Sequence, residues 1–225
     1  MDKIKVELLS YDDIKWAYYG LRICTDTLDK VENNEQSNRK LLEHALSDEV
    51  PHYSVIKHIH YKFLISGIPR SLLQEIARHQ VGVSINVLST RWALHKAFKN
   101  LPDVFDPVYI ESYYFISKEL KDPENEKLYM EWLKARYDEL KLMKKLREEK
   151  HFSNDKLKNF VNENFRTKVF MDISALALRN LFNQRLYKDA WYVFRHVAML
   201  MLNSLPVDHM IIYQDIIEKR LEVNK

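Results

Sequence analysis

The segment from Arg78 to Arg91 concentrates side chains that can bind an anionic ligand. It reads RHQVGVSINVLSTR and contains two arginines, a histidine, two serines, an asparagine and a threonine. A planar guanidinium matches a phosphate through parallel hydrogen bonds, and hydroxyl groups satisfy the remaining phosphate oxygens. The interleaved apolar residues predict partial burial, and a buried arginine needs a partner or a ligand. The segment therefore predicts either an anion-binding site or a structural arginine network at a subunit interface.

Composition limits how such a site can be built. The chain has only three glycines, Gly20, Gly67 and Gly82, so it contains neither G-x-G-x-x-G nor a P-loop. Any bound nucleotide must therefore be gripped by side chains. A single cysteine, Cys24, allows no internal disulfide and no cysteine metal cluster, and we predict no metal site. We expect Cys24 to be a small buried apolar residue.

Charge gives no indication of a nucleic-acid partner. The 35 basic and 32 acidic residues leave a net charge of +3, and the mixed-sign run Lys141–Lys150 is interpreted as a solvated helix face. No apolar run reaches the ~20 residues that span a bilayer. The N-terminal residues lack the apolar stretch of a signal peptide. We therefore expect a cytoplasmic protein with no membrane partner.

The elements that would position these residues indicate one α+β domain over residues 1–225. We predict a small antiparallel or mixed sheet with helices, followed by a helical C-terminal half. Gly67–Pro69 is expected to end the second strand. The predicted strands are 1–9 and 58–66, the extended stretch is 81–89, and the predicted helical regions are 11–25, 35–47, 71–79, 111–150, 153 onward, 173–183 and 190–204.

The segment at Arg78 also resembles the signature of the flavin-dependent thymidylate synthases. That signature is R-H-R, a short variable stretch, a serine and an arginine two residues later. Further blocks match in order: GLRICTDT, HYSVIKH at 52–58, the stretch 157–167, and SALALRNLFNQR at 174–185. The chain is therefore identified as a divergent member of that family, with the family's fold. The motif positions filled as in the signature are Arg78, His79, Ser84, Asn86, Ser89 and Arg91.

The resemblance implies an activity and its cofactors. Family members are homotetrameric methyltransferases with active sites between subunits. They bind FAD and make dTMP from dUMP, with methylenetetrahydrofolate and NADPH as co-substrates. By resemblance, Arg185 is catalytic, because it faces the uracil ring and stabilises developing negative charge. The implied cofactor contacts are His58, His60, Arg78, His79, Gln80, Asn86, Ser174 and Asn180, and the implied substrate contacts are Glu75, Arg78, Ser89, Thr90, Arg91, Lys158 and Arg185.

Several positions depart from the family pattern. Gln80, Lys158 and Leu176 each stand where the family has arginine, and Val87 replaces an acidic residue. Ser174 replaces the family's asparagine. These departures leave two other hypotheses open: a same-fold enzyme that modifies a pyrimidine nucleotide differently, for example by hydroxymethylation, or a non-catalytic nucleotide-binding paralogue.

Some candidate residues also have purely structural interpretations. His58 and His60 flank Ile59 on one predicted strand, so they would share a face as partly buried sheet histidines. Arg185 could cap the C-terminus of its helix. Glu75 could contact substrate, act as a general base or lie on a helix surface.

Overall fold

The computed structural model describes residues 3–32 and 34–221, so the strand predicted at 1–9 is tested only from residue 3. The described residues form four strands, β1 (Lys5–Tyr11), β2 (His60–Pro69), β3 (Val83–Val87) and β4 (Arg166–Ser174). The helices are α1 (Lys15–Cys24), α2 (Glu35–Ser47), α3 (Ser71–Ile76), α4 (Thr90–Lys99), α5 (Pro107–Tyr113), α6 (Glu126–Lys150), α7 (Asn154–Leu157), α8 (Ala175–Arg185), α9 (Tyr192–Asn203) and α10 (Gln214–Leu221).

The strands form one antiparallel sheet in the order β1-β2-β4-β3. Along β2, Tyr61, Phe63 and Ile65 are fully buried, whereas His60 and Lys62 between them are only partly buried. This period of two gives the sheet one buried face and one more accessible face. The prediction of an α+β fold with a small sheet is confirmed.

Compact packing divides the chain into two units, whose boundaries fall within β2 and β4. Unit 1 comprises Met1–Ile4, Ser66–Ile76 and Val87–Val169. Unit 2 comprises Lys5–Ile65, Ala77–Asn86 and Phe170–Lys225. Neither unit is a continuous stretch of chain.

Unit 1 has its own apolar core around helices α4 to α7. Leu94, Ile110, Leu133, Leu140 and Phe165 belong to this cluster. Helix α5 begins where Asp106 accepts hydrogen bonds from two backbone amides and Pro107 occupies the first turn. The long helix α6 is charged on its solvent side and apolar toward this core, as the interpretation of Lys141–Lys150 as a solvated face requires.

In unit 2, α1 packs against α2, α8 packs against α9, and α9 packs against β1. Tyr61, Phe182, His209 and Tyr213 form an aromatic group in its interior. The Tyr61 hydroxyl pairs with His209 Nδ1 at 2.8 Å. Helix α2 begins and ends as predicted, with Asn34 accepting a hydrogen bond from the Ser37 amide.

Three sequence predictions about local structure are wrong. Residues 166–174 form β4 rather than continuing a helical half, because Thr167, Val169, Met171 and Ile173 are buried at strand spacing. Gly67–Pro69 lies within β2 rather than ending it. Cys24 is exposed at the end of α1, where its thiol donates to the Gly20 carbonyl, rather than buried.

Candidate functional site

The candidate phosphate-binding residues of unit 1 lie at the start of α4. Ser89 is the residue before the helix, and its side chain makes no capping hydrogen bond to the helix. Thr90 Oγ1 accepts a hydrogen bond from Arg70 Nη1. At this turn, therefore, the Ser89 hydroxyl caps no helix while the Thr90 hydroxyl is engaged by a cation.

Arg91 and Lys158 meet on opposite oxygens of one carboxylate. Arg91 Nη1 lies 3.1 Å from Asp155 Oδ2, and Lys158 Nζ lies 3.3 Å from Asp155 Oδ1. The hydrogen bond from Lys158, together with the positive charge of Arg91, holds the pKa of Asp155 below its usual value. Because each cation spends only part of its donor capacity on Asp155, both retain N–H groups for a phosphate.

A cavity of about 470 Å³ opens beside this group. Its lining includes Arg91, Trp92, His95 and Asp155. Asn154 on the same wall donates to the Arg91 carbonyl at 3.1 Å. Glu75 lies half-buried on α3 in the same unit.

In unit 2 the structure brings Arg185 and His79 together. Arg185 Nε donates to His79 Nε2 at 3.4 Å, so that ring nitrogen is unprotonated. The guanidinium carbon of Arg185 lies 4.6 Å from the centre of the Phe194 ring, and His79 meets the same ring edge-on. Arg185 is the last residue of α8, yet its side chain is oriented by His79 and Phe194.

Burial differs along the signature segment. His79 is buried, but Arg78, Gln80, Asn86 and Arg91 are exposed. Part of the segment is therefore buried, as predicted, and its two arginines lie in the exposed part. Exposed cations are accessible to ligands.

The two candidate histidines do not lie on one strand, so the prediction that they share a sheet face is wrong. His58 is exposed at the end of a 3₁₀ turn, Tyr53–His58, whereas His60 begins β2. His60 Nδ1 lies 2.8 Å from Asp172 Oδ1, and the other oxygen of Asp172 lies 3.6 Å from Lys62 Nζ. The carboxylate orients the imidazole of His60.

Ser174 and Asn180 lie at the start and in the middle of α8. Ser174 Oγ caps the helix by accepting from the Ala177 amide, and its own amide donates to the Gly82 carbonyl at 2.9 Å. Gly82 has a φ of 72°, and a Cβ there would collide with Ser174 Oγ. Asn180 is exposed and accepts from Gln184.

Sequence reasoning missed three polar partners: Arg70, Asp155 and Asp172. Asp155 could have been found, because a carboxylate three residues before Lys158 on a helix meets its ammonium. Arg70 and Asp172 gave no such signal, since each meets its partner through sheet pairing or chain reversal rather than through local spacing.

Within residues 3–32 and 34–221, no group of histidine, cysteine and acidic side chains is arranged to ligate a metal ion. No helix in that same part of the chain is both long enough and apolar enough to cross a bilayer.

Comparison with known proteins decides the family. Residues 7–206 match the family model described as thymidylate synthase complementing protein. The chain belongs to this family. Membership of the thymidylate synthase complementing proteins confirms the resemblance noted at Arg78–Arg91, because the matched range includes all fourteen residues of that segment.

Relatives of this thymidylate synthase complementing protein extend over nearly its whole length. A flavin-dependent thymidylate synthase of Campylobacter jejuni is 26% identical over 219 residues, covering 97% of this chain and 100% of the relative. One from Wolinella succinogenes is 27% identical and covers 92% of this chain and 96% of the relative. A solved thymidylate synthase X of Helicobacter pylori, with FAD and dUMP, superimposes with a TM-score of 0.78 at 21% identity, covering 96% of this chain and 99% of that one. The last comparison confirms the fold.

Proposed function

We propose that the chain is a flavin-dependent thymidylate synthase, which converts dUMP to dTMP by reductive methylation. The observation that carries the proposal is the family match over residues 7–206, supported by relatives of that name along nearly the whole chain. The one-carbon unit comes from methylenetetrahydrofolate and the electrons from NADPH. When bound, FAD supplies the hydride that reduces the transferred unit to a methyl group.

The group at the start of α4 fits the phosphate of dUMP. Ser89 offers a hydroxyl that no helix cap consumes, and Arg91 and Lys158 offer two cations that are bridged by Asp155. A dianionic phosphate would receive charge-assisted hydrogen bonds from both. Lys158 supplies a point charge without the bidentate fork of arginine. Thr90, Glu75 and Arg78 complete the proposed substrate contacts.

Arg185 fits the role of stabilising charge on the substrate. Its guanidinium is stacked on Phe194 and its Nε donates to His79, so the side chain is held in a defined position beside the signature segment. Donors fixed before the reaction stabilise negative charge on a uracil carbonyl without reorganisation. The proposed role needs no cysteine nucleophile, which agrees with a single cysteine that lies exposed at the end of α1.

The residues proposed to contact FAD belong to unit 2. The accessible Arg78, Gln80 and Asn86 present one cation and two amides. Gln80 can form hydrogen bonds but cannot neutralise phosphate, so FAD affinity is expected to be modest. The remaining proposed flavin contacts are His58, His60, His79, Ser174 and Asn180.

Assembly is part of the proposal. Sites formed between subunits need binding groups on the protomer surface, and Arg78, Gln80, Asn86 and Arg91 are all exposed. We therefore propose a homotetramer with shared active sites. We also propose that residues 1–225 act as one domain, because β2 and β4 each contribute residues to both units.

A spectrum and a growth assay test the proposed function. The purified protein should be yellow, with flavin absorbance that persists through gel filtration, and its gene should rescue a thymidine-requiring strain. Rescue should fail for Arg185→Ala. Flavin binding without rescue, together with a hydroxymethylated product, would favour the divergent enzyme instead. Absence of both flavin and rescue would favour the non-catalytic paralogue.

A further inference from the structure

A cavity of about 360 Å³ in unit 2 is walled by α8, by α10 and by Tyr53. Its lining includes Asn180 and Asn183 from α8, and Asp215 and Lys219 from α10. Helix α10 lies beyond residues 7–206, the range that matches the family model. The function proposed above assigns a role only to Asn180 among these residues.

An ion pair between a buried arginine and a largely exposed carboxylate lines this cavity. Arg179 is only 7% exposed, and its two terminal nitrogens each lie 2.7 Å from a different oxygen of Asp215. Burial by itself would raise the pKa of Asp215, but hydrogen bonds and charge from Arg179 outweigh it and leave that pKa lowered. Arg179 also donates to the Tyr53 hydroxyl at 2.9 Å. The bidentate pair offsets the acidic charge of the wall and attaches α10 to α8.

The remaining polar groups of the wall are hydrogen-bond donors. Asn180 Oδ1 accepts from Gln184 Nε2 at 3.1 Å, and Asn183 Oδ1 accepts from Arg220 at 2.7 and 3.1 Å. Each asparagine also carries an NH₂ group, which can donate to a ligand. The Tyr53 hydroxyl, which accepts from Arg179, keeps its proton to donate.

Lys219 adds a positive charge to this set. With Asp215 offset by Arg179, Lys219 is a cation of the wall with no acidic partner among residues 3–32 and 34–221, and the wall adds several neutral donors. Charge-assisted hydrogen bonds from such a set favour a ligand that is anionic and rich in acceptors. We propose that this cavity is an anion subsite for a phosphate or diphosphate group, with Lys219 and the Asn180 and Asn183 amides as its donors.

Two sources share that chemistry: the diphosphate of FAD, or a separate phosphorylated ligand. Only the first rests on the proposed function. The probe is inorganic pyrophosphate, titrated calorimetrically into the full-length protein, with FAD binding followed in parallel by flavin fluorescence.

Two variants test the subsite. Lys219→Ala removes the cation and should weaken pyrophosphate binding about tenfold. Asn183→Asp keeps the oxygen that accepts from Arg220 but replaces the donor with an anionic oxygen, so it should weaken binding further. Lys188→Ala removes an exposed lysine of the same unit outside the cavity and should change nothing. Matching urea unfolding midpoints would show that the variants are folded.

The outcomes separate the sources. Parallel loss of FAD and pyrophosphate affinity would assign the subsite to the cofactor's diphosphate. Loss of pyrophosphate affinity with unchanged FAD affinity would assign it to a separate ligand. Pyrophosphate affinity that is undetectable in the wild type, or equal in all variants, would overturn the subsite. Failure of the wild type to bind FAD would contradict the proposed function, while the pyrophosphate titration would still decide the subsite.

Discussion

Asp155 shows how one carboxylate can prepare two cations for an anion. It accepts from Arg91 on one oxygen and from Lys158 on the other, which reduces repulsion between them and keeps both beside Ser89 at the start of α4. All three charged side chains are about half exposed, so the effect should be modest.

We predict that Asp155→Asn raises the KM for dUMP about two- to fivefold and leaves kcat nearly unchanged. The reason is that the neutral amide no longer holds the two cations together. Steady-state kinetics at low ionic strength measures the effect. Asp138→Asn removes an exposed carboxylate paired with Lys134 on α6 and is the matched control. A lower KM would show instead that Asp155 competes with the phosphate.

Arg185 is predicted to matter for turnover rather than for flavin retention. Arg185→Ala should lower kcat about a hundredfold while FAD stays bound, because a fixed donor aimed at developing charge is lost. Arg195→Ala, which removes a partly buried arginine on α9, is the control. Rapid mixing of reduced protein with dUMP and folate gives the rate. An unchanged kcat would remove Arg185 from the proposed mechanism.

At the level of single residues, the sequence predicted the candidates better than their surroundings. Arg91 and Lys158 were named as one phosphate group, and the structure brings them to the same carboxylate. The partial burial predicted for the segment is found at His79, but apolar neighbours along the chain do not show that both arginines are exposed. His60 was named without Asp172, because that contact crosses 112 positions.

At the level of elements, Gly67 shows why a sequence signal can be misread. It was expected to end β2, yet it lies inside the strand with a φ of 75°. A Cβ at this position would collide with the Lys3 carbonyl oxygen. Glycine here permits a close backbone approach within the strand rather than a turn.

Gly67→Ala should therefore lower the free energy of unfolding by roughly 2 kcal/mol or more. Both the strained φ and the collision with Lys3 contribute. Urea unfolding followed by circular dichroism gives the value. Gly20→Ala is the comparison, because Gly20 is in α1 and a Cβ there would only press against Val55. Equal effects of the two substitutions would contradict this explanation.

Strand β4 was missed for a different reason. The sequence predicts a helical region from residue 153 onward, and this prediction includes 166–174. The alternation of buried Thr167 and Val169 with accessible Lys168 is visible in the sequence. Its partners in the sheet, β2 and β3, are distant in the sequence. Pairing with these two strands in the folded protein therefore determines that 166–174 forms a strand.

For the whole molecule, stability should depend on pH through His209. This side chain is fully buried, with Nδ1 on the Tyr61 hydroxyl and Nε2 3.7 Å from Asp208 Oδ2. Burial lowers the pKa of His209 from its ordinary 6.5, and attraction to Asp208 opposes this only in part. The folded state therefore takes up a proton less readily than the unfolded state.

It follows that stability is lost as pH falls below the unfolded pKa and continues to fall until the folded pKa is reached. Between the unfolded pKa of about 6.5 and the lowered folded pKa, the limiting slope for one such group is about 1.4 kcal/mol per pH unit. Burial also lowers the pKa of His196, so this residue should likewise reduce stability as the pH falls. His209→Gln should flatten the profile, whereas His44→Gln, at an exposed site on α2, should not. A free energy of unfolding that increases as the pH falls would contradict this prediction.

The resemblance to a known family predicted the whole fold better than the hydrophobic periodicity of the sequence did. The ordered blocks from Gly20 to Arg185 predicted the family, and the match over 7–206 confirmed it. Substituted positions such as Gln80 and Leu176 lie within the matched range, so they change contacts without changing the architecture.

Product analysis tests the central claim most directly. Purified protein is incubated anaerobically with FAD, dUMP, methylenetetrahydrofolate and NADPH, and nucleotides are separated by chromatography with mass detection. We predict dTMP that requires dUMP, methylenetetrahydrofolate and NADPH and disappears with Arg185→Ala. Complete reaction mixtures that leave dUMP unchanged, or that convert it only to another product, would contradict the assignment as a thymidylate synthase.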